Sequence, residues 1–182
     1  MHIRVTNVCF KGHTNCLINI KQIFDFENDD LRKKYEPKKF PGMIIHFKYG
    51  TCLLFKSGYY SIAGCKMVED GVKAQVELFD LLRYHDYEVN NVELKLTNVC
   101  GSFDCEKQIN LVKLALAHRN QASYDLELFS AVKFTLDNHT FTVHSTGKVF
   151  VTGMKSVPEL NSICTKMYNI ISPYFVEANM NN

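Results

Sequence analysis

An α+β fold is predicted by this sequence: two pseudo-symmetric copies of one unit, with an antiparallel sheet covered on one face by helices. Three observations carry the prediction. The chain repeats itself once along its length, each copy breaks into short strands joined by hairpin-length turns, and each copy closes with an amphipathic helix.

The repeat comes first. The string VTNVC at Val5–Cys9 returns as LTNVC at Leu96–Cys100, a shift of 91 residues, and Ile18-Asn19-Ile20 returns as Ile109-Asn110-Leu111 at the same shift. Further along, the shift becomes 89 and pairs Tyr35 with Tyr124, Phe40 with Phe129, Gly58 with Gly147, Gly64 with Gly153 and Lys66 with Lys155. Two copies with so long a period do not make a solenoid; they make a duplicated domain. The expected repeats are residues 1–88 and 89–182.

The strands follow from the turns. In the first copy, Met43–Phe47, Thr51–Phe55 and Tyr59–Ala63 are separated by Lys48-Tyr49-Gly50 and Lys56-Ser57-Gly58 and closed by Gly64. Their counterparts are Val132–Leu136, Thr140–His144 and Lys148–Thr152. A strand carrying the Asn opens each copy. A short apolar helix follows it, clearest at Ile109–His118.

The closing helices are expected at about Met67–Leu82 and Val157–Ser172. The second starts on a capping box, Ser156-x-x-Glu159, and sets Leu160, Ile163, Cys164 and Met167 on one face. Val72, Val76 and Phe79 are expected to form the matching stripe in the first.

Composition narrows the function classes. The 182 residues are 46% hydrophobic, which suits one compact domain or two halves sharing a core. No run approaches the roughly 20 apolar residues of a membrane span, and Met1–Phe10 alternates where a secretory signal would be apolar. Seven scattered cysteines without framework spacing imply a reducing compartment. The formal charge of +2 neither demands nor excludes a nucleic-acid partner. The basic cluster Arg32, Lys33, Lys34, Lys38 and Lys39 is read as a solvated loop.

Strand pattern then marks a surface. Thr140–His144 alternates cleanly, with Phe141 and Val143 toward the helices, but Thr51–Phe55 does not. Cys52 and Leu54 take the helix-facing parity there, leaving Leu53 and Phe55 on the open face, and Phe150 shares that face in the second copy. Apolar side chains on the uncovered side of a sheet mark a partner surface.

The paired VTNVC and LTNVC, the strings YEPKKFPGMI and YDLELFSAVKF, and the strings SGYYSIAGCK and TGKVFVTGMK resemble the core domain of the TATA-box-binding protein family across roughly residues 3–175. The resemblance implies a saddle-shaped, curved antiparallel sheet with helices on its convex face. It also implies a concave face that grips the minor groove of A·T-rich double-stranded DNA. An amide donor there reads adenine N3 and thymine O2 without meeting a guanine amino group, and apolar wedges unstack base steps and bend the duplex, as that family does.

Position by position, the resemblance assigns Asn7 and Asn98 as the paired amides, Phe40 and Phe129 as one wedge of each pair, and Phe55 as the second wedge of the first copy. His144 stands where the other second wedge belongs, and Cys9 and Cys100 where the family has Val. Leu53, Lys148 and Thr152 match concave positions whose partners in the other copy are Thr142, Tyr59 and Ala63. Together with Phe150, these are the candidate DNA contacts. Glu127 and Leu128 match the segment offered to a transcription factor IIB-type partner, which brings in the RNA polymerase machinery. The helix that is strongly basic in the family carries Glu69, Asp70, Glu77 and Asp80 here. These departures resemble those of a divergent viral or parasite homologue. The expected location is the nucleus, or a cytoplasmic viral factory for a viral copy.

No cofactor and no membrane partner is expected. Cys9, His13, Cys16, Cys100 and Cys105 fit no zinc spacing, and no glycine-rich phosphate loop or nucleophile signature occurs, so the chain is read as a transcription initiation factor and not as an enzyme. The rival reading is a degenerate saddle that scaffolds a transcription complex without sequence-specific DNA binding.

Overall fold

The computed structural model describes residues 1–26, 31–90 and 92–176. In chain order, β1 (Ile3–His13), α1 (Ile20–Asp25), β2 (Arg32–Lys34), β3 (Met43–His46), β4 (Thr51–Leu54), β5 (Tyr59–Cys65) and α2 (Val68–Tyr84) make the first copy. The second copy is β6 (Lys95–Asp104), α3 (Leu111–Ala117), β7 (Ala122–Ser123), β8 (Ala131–Leu136), β9 (His139–His144), β10 (Lys148–Met154) and α4 (Val157–Ile171), closed by a 3-10 turn at Ser172–Tyr174. The strands are ordered β2-β3-β4-β5-β1-β6-β10-β9-β8-β7, and the described ladders within each copy are antiparallel. The α+β class with two copies of one element order is therefore the observed one. Two compact units divide the chain: Asn7–Asn98, and Met1–Thr6 with Val99–Asn182.

In the unit of residues 7–98, α2 covers one side of the sheet. Val8, Met43, Ile45, Cys52, Leu54 and Ile62 are fully buried, as strict alternation requires. The helix does not use the stripe its hydropathy suggests. Val72 and Val76 are 52% and 51% exposed, and of the three expected residues Phe79 alone is buried. The inward ridge is Gly71, Ala74, Gln75, Leu78 and Leu82. The reason is size: a Cβ on Gly71 would lie 2.2 Å from the ring of Phe10, so the ring needs a helix surface without one. Gln75 turns inward because its amide donates to the Tyr60 hydroxyl at 2.6 Å and to the Val92 carbonyl at 3.2 Å.

The second unit solves the same contact in reverse. Its α4 buries Leu160, Ile163, Cys164 and Met167, and the Ser156 hydroxyl accepts from the Glu159 N–H at 3.2 Å. A Cβ on Gly101 of β6 would lie 2.6 Å from Leu160. By the repeat, Gly101 occupies the place of Phe10, and Leu160 the place of Gly71. One unit sets a large strand residue on a small helix residue, the other a small strand residue on a large helix residue.

The basic cluster differs from its expectation. Arg32–Lys34 is a strand paired with β3, and Lys33 is half-buried. Its ammonium donates to the carbonyls of Ile23, at 2.9 Å, and Phe26, at the C-terminal end of α1. Burial lowers the Lys33 pKa, an effect partly offset by the charge of Asp25.

Candidate nucleic-acid interface

Each copy carries the same irregularity beside its Asn. The β1–β5 register slips between Val8 and Phe10, and the β10–β6 register slips between Val151 and Met154. The extra residue is absorbed where Gly64 and Gly153 adopt φ of +82° and +104°, a conformation that side chains with a Cβ resist. At the first bulge the Gly64 N–H donates to the Asn7 side-chain oxygen at 2.7 Å. That bond fixes which end of the amide is which. The oxygen accepts from the backbone, and the nitrogen is the donor end, with a 3.3 Å hydrogen bond to the Cys9 sulfur. Asn98 holds the matching position on β6, half-buried like Asn7.

The two candidate wedge positions are held by one local device. The Phe40 N–H donates to the Glu36 carbonyl at 2.9 Å, and the Phe129 N–H to the Asp125 carbonyl at 2.8 Å, so each ring ends a single helical turn. Phe40 is 39% exposed and Phe129 43%. Lys34 and Lys39 bracket the Glu36 carboxylate at 3.2 and 2.6 Å and, with Lys39 the larger influence, hold its pKa below the usual carboxylate value.

In the unit of residues 7–98, Phe40 meets Phe55 with ring centroids 5.8 Å apart. Gly42 makes room for them: a Cβ there would lie 2.8 Å from Phe40 and 2.9 Å from Phe55. Leu53 sits half-buried on β4 between Ile44 and Ser61 of the flanking strands. In the other unit the cluster has three rings. Phe129 lies 6.5 Å from His144, and His144 lies 5.7 Å from Phe150, which is 43% exposed. The Lys133 ammonium stands 5.7 Å over Phe129. Lys148 and Thr152 are exposed on β10, paired across with Asp104 and Thr140, and Cys100 is half-buried on β6. Glu127 is exposed, and Leu128 is 83% exposed.

Sequence reasoning missed several neighbours. A 300 Å³ cleft joins Lys148 and Phe150 to Arg4 and His2, and Asp104 and Glu106 also line it. No spacing in the chain sets Arg4 beside Lys148. Gly42 carried no signal, whereas the repeat of Gly64 as Gly153 pointed to a shared backbone requirement. Among the acidic residues of α2, Asp70 caps its own helix, its carboxylate accepting from the N–H groups of Lys66 and Met67 at 3.1 Å each.

A family model described as transcription factor TFIID (or TATA-binding protein, TBP) matches residues 2–85 and again 93–174. The chain belongs to the TATA-binding protein family. Among curated relatives, the TATA-box-binding protein of Tetrahymena thermophila is 26% identical over 176 residues, covering 91% of this chain and 72% of that one. The TATA-box-binding protein of Archaeoglobus fulgidus is 32% identical over 144 residues, covering 71% of this chain and 79% of the other. The solved structure of the TATA-binding protein of Methanococcus jannaschii superposes with a TM-score of 0.81 at 25% identity, over 95% of this chain and 99% of that one. The fold is that of the TATA-binding proteins, and the chain is a transcription factor of that type.

Proposed function

We propose that this chain binds and bends A·T-rich duplex DNA through the minor groove and recruits a transcription factor IIB-type protein, and with it the RNA polymerase machinery. The observation that carries the reading is the pair of exposed rings, Phe40 and Phe129, each ending the same helical turn at repeat-related positions. Exposed phenylalanine is costly in water, and two such rings on one scaffold call for an apolar partner such as an unstacked base step. Asn7 supports the reading, since its amide nitrogen suits the acceptor-lined floor of an A·T groove.

In this account Asn7, Cys9, Phe40, Leu53 and Phe55 contact DNA from the first repeat, residues 1–88, and Asn98 opens the contacts of the second. Cys100, Phe129, His144, Lys148, Phe150 and Thr152 contact it from the second, residues 89–182. Glu127 and Leu128 receive the IIB-type partner, and the work is done in the nucleus. The rival, a scaffold that no longer binds DNA, is favoured by the small charge of +2 and by Tyr59, Ala63 and His144 at eroded positions.

A fluorescence titration that reports bending separates the two. The protein is added to end-labelled TATA and G·C duplexes, with and without a IIB-type factor. DNA binding is supported by saturable energy transfer on the TATA duplex that weakens as salt rises through displaced phosphate counterions. No response on either duplex under either condition leaves the scaffold.

A further inference from the structure

In the unit that holds residues 99–182, the chain docks its own tail onto the loop before α3. Ile109 forms an antiparallel bridge with Phe175. The Asn110 N–H donates to the Tyr174 carbonyl at 2.9 Å, and the Val176 N–H to the Gln108 carbonyl at 2.8 Å. The Phe175 ring is gripped by the Lys107 ammonium at 5.4 Å and by Tyr168 at 5.8 Å.

The repeat shift places Leu17, Ile18 and Asn19 where Gln108, Ile109 and Asn110 stand. Both loops are held alike: the Ile18 N–H donates to the Lys56 carbonyl and the Ile109 N–H to the Ser145 carbonyl, each at 2.9 Å. Both Asn residues cap the following helix. The first loop, however, has no strand beside it among the described residues. Its Asn19 N–H meets a side-chain hydroxyl, that of Tyr87 at 2.8 Å, and among the described residues no backbone N–H reaches the Leu17 carbonyl. A cleft of 540 Å³ lies there, lined by Leu17, Asn19, Lys21, Tyr35, Lys56 and Tyr87 among others. Leu17 is 73% exposed, and the lining holds two ammonium groups and no carboxylate among the described residues.

We propose that this cleft receives an extended segment of a partner protein, an aromatic residue flanked by acidic ones, which adds to Leu17–Asn19 as a short antiparallel strand. The chain's own tail is the template. Main-chain hydrogen bonds supply the pairing, the cleft beside Tyr35 and Tyr87 takes the aromatic ring, and Lys21 and Lys56 select acidic neighbours. The site uses none of the residues assigned to DNA, so it stands or falls independently of DNA binding.

The test uses the full chain and a fluorescein-labelled synthetic peptide, Pro-Tyr-Phe-Val flanked by aspartates, followed by anisotropy and amide NMR. Saturable binding is expected, with shifts centred on Leu17, Asn19, Lys21 and Tyr87. Leu17→Asp weakens it about tenfold, and Val112→Asp, on an exposed face of α3, leaves it unchanged. Reversing both charges, Lys21→Glu with Lys56→Glu, weakens the aspartate peptide and favours a lysine-flanked one, a switch that a folding defect would not produce. Absence of saturation, equal binding of a peptide with glycine for phenylalanine, or shifts centred on Phe40 and Phe55 overturns the proposal. So does self-association of the protein that displaces the peptide, which assigns the cleft to a second copy.

Discussion

The imidazole of His144 stands edge-on to the ring of Phe150, with centroids 5.7 Å apart and planes at 84°. Phe129 adjoins the same imidazole, so the second unit has a three-ring cluster where the first has the pair Phe40 and Phe55. The position equivalent to Phe150 in the first copy is Ser61. The aromatic surface forgone at 144 is thus replaced one strand over.

Phe150→Ala should therefore weaken the TATA duplex by on the order of tenfold, the worth of about 1–2 kcal/mol of apolar contact. His144→Phe should bind as tightly or better and bend the duplex further. Energy transfer across an end-labelled duplex measures both. Wild-type binding and bending by Phe150→Ala would show that the third ring is idle.

Asn7→Asp separates folding from readout. A carboxylate oxygen still accepts the Gly64 N–H that now bonds at 2.7 Å, so the bulge keeps its partner. The amide nitrogen becomes a second anionic oxygen, which groove acceptors would repel under the proposed binding. The melting temperature should stay close to wild type while A·T affinity falls roughly 5- to 150-fold, the range of 1–3 kcal/mol for one direct contact. Equal A·T affinity in the variant would remove Asn7 from the interface.

The reversed packing of the two units makes a sharp stability experiment. Gly71→Leu alone drives a side chain into Phe10, and Phe10→Gly alone leaves a hole; overpacking costs about 1–3 kcal/mol and loss of a core Phe about 3–5. The pair together rebuilds the Gly101–Leu160 arrangement found in the other unit. Denaturant titration should show the double variant more stable than Phe10→Gly. If the two costs simply add, the correspondence is accidental.

Cysteine reactivity should divide by burial. Burial raises the Cys65, Cys105 and Cys164 thiols to about 11, with the charge of Asp70 adding at Cys65 and that of Asp104 at Cys105, and raises Cys52 further. Cys9, Cys16 and Cys100 are half-exposed. Iodoacetamide at mildly alkaline pH should label these three in the native protein and the others after unfolding, as mass spectrometry would resolve. A TATA duplex should protect Cys9 and Cys100 and leave Cys16 reactive. Protection of Cys16 to the same degree would point to a global effect of the duplex.

His85 makes stability depend on pH. It packs edge-on to Phe26 at 5.0 Å, and burial, reinforced by the charge of Lys33, lowers its pKa despite the opposing pull of Asp86. Its folded-state value thus lies below its unfolded value. Unfolded chains take up the proton first as pH falls, so stability is full above the unfolded pKa and is lost as pH drops from there toward the folded value. Melting temperatures between about pH 7 and pH 5 should fall more steeply for wild type than for His85→Gln. Parallel curves would place the titration elsewhere.

Much of the fold was legible because the chain is written twice. A strand, a turn or an Asn that is ambiguous once becomes specific when it recurs at a constant shift. The parity of Leu53 and Phe150 followed from the two-residue side-chain period of β4 and β10, and Phe55 continues it one residue past β4. The α2 stripe was not legible, because hydropathy counts valines and cannot see that Phe10 requires a glycine opposite or that Gln75 has a buried hydroxyl to meet. Lys33 was misread for a related reason: the carbonyls it serves belong to another element. At two residues, β7 is too short to leave a pattern. The aromatic trio was half legible, since Phe150 stood out while its contact with His144 depends on a cross-strand register that spacing does not reveal.

The division of the chain has a consequence for how it is made. Residues 1–6 belong to the compact unit otherwise built from 99–182, so these residues are synthesised well before the partners they pack with. Until then Ile3–Thr6 of β1 wait while Asn7–His13 belong to the earlier unit, and a large loop must close before the second unit is whole. A fragment cut between the repeats would leave the later half short of its opening segment, so that half cannot be treated as a free-standing piece.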